Sequence, residues 1–95
     1  MDDMKWILNN LRHNYRNMVN RCHNKEHKSY KYYGARGIAV CELWRQNRAY
    51  FITWALKHGY KRGLLLHRKD NNKGYSPDNC IYVSRKKHLR LHASY

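Results

Sequence analysis

Three side chains in the last third of the chain, His67, Asn79 and His88, fall where a short strand, loop, strand and helix bring them to one point. Histidine is the side chain whose charge changes near neutral pH, and its neutral ring is a common metal ligand. Two of them at one point therefore offer proton transfer and metal binding. Asparagine offers something different, because its amide can close a loop by bonding backbone groups. Arg68, beside His67, carries a planar fork of donors that suits a phosphate. Arg85, Lys86, Lys87 and Arg90 follow on the last predicted helix, where their place beside the presumed site favours contacts to a nucleic-acid backbone. Arg36 is counted with Arg68 and these four among the nucleic-acid-binding candidates.

The elements that must position these groups are legible in outline. Leu64-Leu65-Leu66 reads as a short buried strand ending at His67-Arg68-Lys69-Asp70, and Asn71-Asn72-Lys73-Gly74-Tyr75-Ser76-Pro77 reads as a turn. Cys80-Ile81-Tyr82-Val83 is a second strand. Ser84 is placed to cap a helix from Arg85 to about His92. Upstream, Ile7, Leu11, Tyr15, Met18 and Cys22 recur in steps of three or four, which predicts a helix over 3–23 with Arg12, Arg16 and Arg21 on its outer face. Residues 24–35 read as a loop and Ile38-Ala39-Val40-Cys41 as a short strand. A middle helix is expected over 46–58, with Phe51, Trp54, Ala55 and His58 on one face and Gly59 as its left-handed stop. Trp44 and Trp54 read as core. The expected fold is a single α+β domain over 1–95: N-terminal helix, short strand, middle helix and a C-terminal ββα finger at about 63–92.

Composition says what such a site would meet. The chain has 95 residues, 42% of them hydrophobic, enough for one modest core. It carries 20 Lys and Arg against 6 Asp and Glu, a formal charge of +14. A small domain stays soluble with a net charge of magnitude about 2–8, so this excess points to a polyanionic partner. Nine Tyr and three Trp are interleaved with the cations, and rings stack on bases, which places nucleic acid first. The plain alternative is a solvated basic surface on a protein that binds something else. Neither a run of about 18 apolar residues nor a signal-like stretch is present, so no membrane partner and an intracellular location are expected. Cys22, Cys41 and Cys80 are odd in number and widely spaced, which argues for reduced thiols rather than disulfides. Cys22, His23, His27, Cys41 and Cys80 offer zinc ligands without the paired short spacing of a zinc site, so buried thiols are the expected state.

Two longer stretches carry a resemblance. Ser29-Tyr30-Lys31-Tyr32-Tyr33-Gly34-Ala35-Arg36-Gly37-Ile38-Ala39-Val40-Cys41 with Trp44, and Gly63-Leu64-Leu65-Leu66-His67-Arg68-Lys69-Asp70-Asn71-Asn72 with Tyr75-Ser76-Pro77-Asp78-Asn79-Cys80, resemble a phage and mobile-element branch of the HNH endonucleases of the ββα-metal type. The resemblance covers roughly residues 12–90. It implies a metal-dependent DNA endonuclease or nickase in which His67 is the general base, Asn79 holds that histidine or its loop, and His88 is a metal ligand. It also implies a divalent ion, Mg, Mn or Zn, with His67, His88 and Asp70 as its candidate ligands.

The sequence departs from that family at one pair. HNH sites place a metal ligand and the base side by side, and here the pair is His67-Arg68. If His67 is the ligand, Arg68 stands at the base position and cannot accept a proton. If His67 is the base, Leu66 precedes it and cannot bind metal, so a ligand comes from elsewhere, with Asp70 and His92 as candidates. Two functions therefore stand side by side: a phage-type nuclease, and an inactive HNH-fold DNA-binding factor or inhibitor of a host enzyme. DNA is the expected partner, with RNA open by the same chemistry. A chain this short leaves no room for a separate recognition domain, so a homodimer or a protein partner is a further expectation. The expected place of action is the cytoplasm of a phage-infected bacterial cell.

Overall fold

Helix α1 spans Asp2–His23, and its apolar stripe does what its spacing predicts. Leu11, Met18 and Cys22 are buried, with Ile7 and Tyr15 packed against the same core. The computed structural model describes residues 2–88. Helix α2, Glu42–Gln46, and helix α3, Arg48–Lys57, follow. They supply Trp44, Phe51, Trp54 and Ala55 to the core. Trp44 meets Phe51 edge-on at 5.0 Å between ring centroids and lies 5.1 Å from Trp54. Burying each such ring contributes about 1.5–3 kcal/mol. Strands β1, Leu64–Arg68, and β2, Cys80–Ser84, pair antiparallel, Leu64 opposite Ser84 and Arg68 opposite Cys80. The α+β class follows, and no helix of the described residues is long and apolar enough to cross a membrane.

Four local expectations change. The middle helix forms as α3, starting at Arg48 rather than 46, and a short helix not expected from the sequence, α2, precedes it. Asn47 separates the two, being extended (φ −158°, ψ 120°) with its side chain accepting from the Ala49 amide at 2.9 Å. His58 is exposed: it ends α3 with its ring stacked on Trp54 and its Nδ1 2.8 Å from the Trp54 carbonyl oxygen. Gly59 does adopt the left-handed stop, at φ 79°. The loop at 24–35 contains two short 3-10 turns, Tyr30–Tyr32 and Gly34–Arg36. Gly34 sits there against the Cys22 carbonyl and the Tyr30 ring, where a Cβ has no room.

The expected strand at 38–41 is a single parallel bridge, Val40 with Tyr75. Its partner segment turns away at once, since Asn79 and Cys80 both donate backbone N–H groups to the Ser76 carbonyl. The bridge still matters. Tyr75 donates to Ala39 and accepts from Cys41, both at 2.8 Å, which pins the finger loop to the body. Gly74 makes the approach feasible, because any Cβ there would run into the Ala39 backbone.

Candidate functional site

The hairpin delivers the two histidines to one place. His67 is the fourth residue of β1, opposite Ile81, and is buried. After β2 the Ser84 hydroxyl accepts from the Lys87 amide at 3.1 Å, and residues 85–88 form a helical turn. His88, half-buried in that turn, brings its ring edge-on to that of His67, with centroids 5.3 Å apart and planes at 82°. The convergence expected from the sequence is therefore real for this pair.

Asn79 is buried as well, but its amide serves the loop rather than the imidazole. Oδ1 accepts from Asp70 N at 2.9 Å, while Nδ2 donates to the Asp70 carbonyl at 3.1 Å and the Gly74 carbonyl at 2.8 Å. Its own carbonyl accepts from Lys69 N at 2.7 Å, the residue that follows β1. Asn79 thus sets the course of the chain just beyond His67.

Arg68 and Arg36 converge on the same loop. Arg68 Nη1 donates to the carbonyls of Asn71 (2.9 Å) and Lys73 (2.7 Å), and its Nη2 donates to Asn71 Oδ1 at 3.1 Å. Arg36 donates to the Tyr32 and Asn71 carbonyls and to Asn72 Oδ1. Both guanidinium groups, expected to face phosphate, are engaged as braces within the fold. Arg85, Lys86 and Lys87 remain exposed on the last turn. Arg90 and His92 lie outside the described residues.

A cavity of about 100 Å³ opens beside the histidines, lined by Tyr33, Leu66, His67, Arg68, Tyr75 and His88, with Asn71 at its edge. That is room for an ion with a few waters or for phosphate oxygens, not for a base. One wall is a stack of Tyr33 and Tyr75, centroids 6.3 Å apart. Arg68 lies 5.3 Å from both ring centroids; Arg21 lies 5.1 Å from Tyr33 and 5.7 Å from Tyr75. Arg21 also donates to the Tyr75 hydroxyl at 3.1 Å. It was expected on the outer face of α1, but one position before buried Cys22 puts it at the edge of the stripe. Burial pushes the Tyr75 hydroxyl up to about 12 despite Arg21, so it stays a neutral donor and acceptor. The sequence did not show Tyr33, Tyr75 and Arg21 meeting at this site. Tyr33 and Tyr75 stood in the quoted motifs, but nothing there marked them as one wall.

Of the candidate metal ligands His67, His88 and Asp70, only the two histidines come together. Among the described residues no group of three or more His, Cys, Asp and Glu side chains comes together. Asp70 is exposed and its Oδ1 accepts from the Asn72 amide at 2.9 Å, a local turn contact. An imidazole at a small polar cavity fits an open site that leaves positions for water and phosphate oxygens, as hydrolytic divalent ions require, and the second imidazole beside it is placed to be either a further ligand or a base. The two do not fit a closed structural zinc site, which takes four protein ligands. The cysteines are free: Cys22 and Cys80 are buried, Cys41 partly so. Burial raises the Cys22 thiol against the pull of Arg21 and Arg68, and raises that of Cys80 to about 11.

No protein-family model, curated protein or solved structure matches the chain.

Proposed function

We propose that this chain is a phage-type HNH-like protein that binds DNA and hydrolyses its backbone with the help of a divalent ion. The observation that carries the reading is the edge-on pairing of His67 and His88, 5.3 Å apart beside a cavity sized for an ion and phosphate oxygens, in a chain of charge +14. His67, fixed in β1, takes the proton of the attacking water. His88 holds the ion, and Asn79 keeps the loop after His67 closed. A divalent ion bound there would stabilise charge on the scissile phosphate and the leaving oxygen. Arg85, Lys86 and Lys87 contact the backbone of the duplex. The free thiols suit a reducing compartment, in keeping with action in the cytoplasm of an infected bacterial cell.

A second reading rests on one observation. Arg68 stands where the family places its second active group, and its guanidinium is spent on Asn71 and Lys73. A protein that kept the fold and lost the reaction would look the same there.

Supercoiled plasmid incubated with Mg²⁺, Mn²⁺ or chelator separates the two. Conversion to nicked circles with an ion and none with chelator is the expected result. Binding without nicking under every ion overturns the nuclease and leaves the binding factor. Binding itself is read from salt dependence, with log affinity falling against log salt by roughly 0.9 per phosphate contacted. A flat response would remove the basic surface as the interface, and a matched RNA duplex competing equally would remove DNA as the preferred partner.

A further inference from the structure

A second cavity, of about 530 Å³, runs between the solvent side of α1 and the beginning of the hairpin, away from the histidines. Its α1 wall includes Trp6 and then Asn10, His13, Asn14 and Asn17, which recur in steps of three, one and three and so form one ridge. His13 and Asn17 are exposed, while Asn10 and Asn14 are half-buried. The opposite wall includes Arg62 and Arg85. The Arg62 guanidinium lies 4.2 Å from the Trp6 ring centroid, which holds it at the rim.

We infer that the α1 rim of this groove enters the major groove of duplex DNA, with the exposed side of the Asn10–Asn17 ridge facing the base edges and Arg62 and Arg85 facing the flanking phosphates. The inference rests on the reading of the chain as a DNA-binding protein and adds where its sequence preference would arise. An asparagine amide offers a donor and an acceptor side by side, the pattern that pairs with the N6 and N7 edge of adenine in the major groove. Asn10 spends one donor on the Tyr60 hydroxyl at 3.1 Å, which fixes its amide and leaves its oxygen as acceptor. Lys and Arg alone would read charge and not sequence; a ridge of three amides and an imidazole on a basic protein is suited to bases.

The shape selects the duplex. Helix α1 has 22 residues, about 33 Å at 1.5 Å per residue, and a helix with side chains is about 10–12 Å across. The major groove of DNA is about 12 Å wide, whereas that of duplex RNA is deep and too narrow for side chains to read. The groove and the histidine cavity share strand β1: Leu64 and Leu65 line the first, Leu66 and His67 the second. At about 3.3 Å per residue the two sites are roughly 7–10 Å apart along the strand. That is within a few phosphates, so a duplex seated on α1 would present its backbone near His67 and His88.

The test is selection from a randomised duplex DNA library by the full chain, with the double variant Asn14→Ala, Asn17→Ala beside it. Alanine is a good helix former, so α1 keeps its structure, and circular dichroism checks that it does. The wild-type chain should enrich a short motif containing adenines. The double variant should lose at least about tenfold in preference for that motif over a scrambled duplex, while its affinity for unselected duplex changes by less than about twofold. Arg62→Ala should do the reverse, weakening all duplexes alike and keeping the motif. A wild-type chain that binds duplexes but enriches nothing overturns this inference alone, as does a double variant that keeps the full preference. A chain that binds no duplex overturns the DNA-binding reading itself.

Discussion

The side-chain amide of Asn79 bonds the backbone of Asp70 on both sides, accepting from its N–H at 2.9 Å and donating to its carbonyl at 3.1 Å, as a paired strand residue would. Beyond Arg68 and Cys80 the Lys69 N–H still bonds the Asn79 carbonyl at 2.7 Å, and the hairpin is then extended to Asp70 by a rung that is a side chain. A third bond, to the Gly74 carbonyl, ties the far side of the loop to the same amide.

Asn79→Ala removes all three bonds and leaves buried backbone groups to find water. The expected cost is about 2–4 kcal/mol, read from denaturant midpoints. Asn79→Asp should be at least as costly, since a carboxylate oxygen then faces the carbonyls of Asp70 and Gly74. A variant within about 0.5 kcal/mol of wild type would show that the loop closes without this amide.

This loop also marks where the sequence stopped being readable. The two apolar runs and the stripe of α1 each announce an element through side-chain type and spacing, and each formed; of the helix announced by the Ser84 cap the described residues show the turn over 85–88. Arg68 announced a phosphate ligand, because a guanidinium beside a histidine in a basic chain reads that way. Its actual acceptors are backbone carbonyls of Asn71 and Lys73. Every residue has a carbonyl, so such a brace leaves no mark in the sequence. The wall of Tyr33 and Tyr75 with Arg21 brings together three separate segments, beside a close approach of Gly74 to Ala39 that leaves no room for a Cβ. The middle helix was legible, but the short α2 before it was not, because the break between them rests on one capping bond at Asn47 rather than on apolar spacing.

His23 gives a pH dependence with a definite sign. Its Nε2 accepts from the Val40 amide at 3.2 Å, and a protonated ring cannot accept there. Burial first, and the Arg45 charge second, hold its pKa below the usual 6.5. The unfolded chain therefore takes the proton more readily than the folded one. This contribution to stability is complete above the unfolded value and is lost as pH falls through the lowered folded value. Denaturant midpoints at about pH 7.5 and about pH 5.5 should show the loss. His23→Gln keeps an acceptor for Val40 without the titration and should lose less over the same interval; equal losses would acquit His23.

The thiols make a separate prediction. With Cys22 and Cys80 buried and their thiols raised, iodoacetamide near neutral pH should modify the native chain at Cys41 first, giving one mass increment. Three increments should follow in denaturant. Rapid native modification of Cys80 would mean that the hairpin opens far more readily than its place in the core allows. Protection of all three by stoichiometric zinc would point to a thiolate site, although no group of three such ligands comes together among the described residues.

The histidine pair makes the sharpest claim, because the proposed reading gives its two members different jobs. His67 is buried in β1, just before the loop closed by Asn79 and braced by Arg68, so the backbone that carries it is set before substrate arrives. As general base it is worth about 10²–10⁴ in rate, and His67→Ala should lower metal-dependent nicking by that factor at any ion concentration. His88 sits in the helical turn after β2 and is assigned the ion. His88→Ala should weaken metal affinity, so that raising Mn²⁺ restores part of the lost rate, a response that a merely destabilised protein would not give. Calorimetric titration of Mn²⁺ into each variant supplies a second readout, with weakened binding expected for His88→Ala and near wild-type binding for His67→Ala. If both variants lose the ion equally, His67 is a ligand. The base position then falls to Arg68, which cannot serve, and nicking would need a base from outside this pair. If neither variant changes nicking, the pair is structural and the catalytic reading fails at its root.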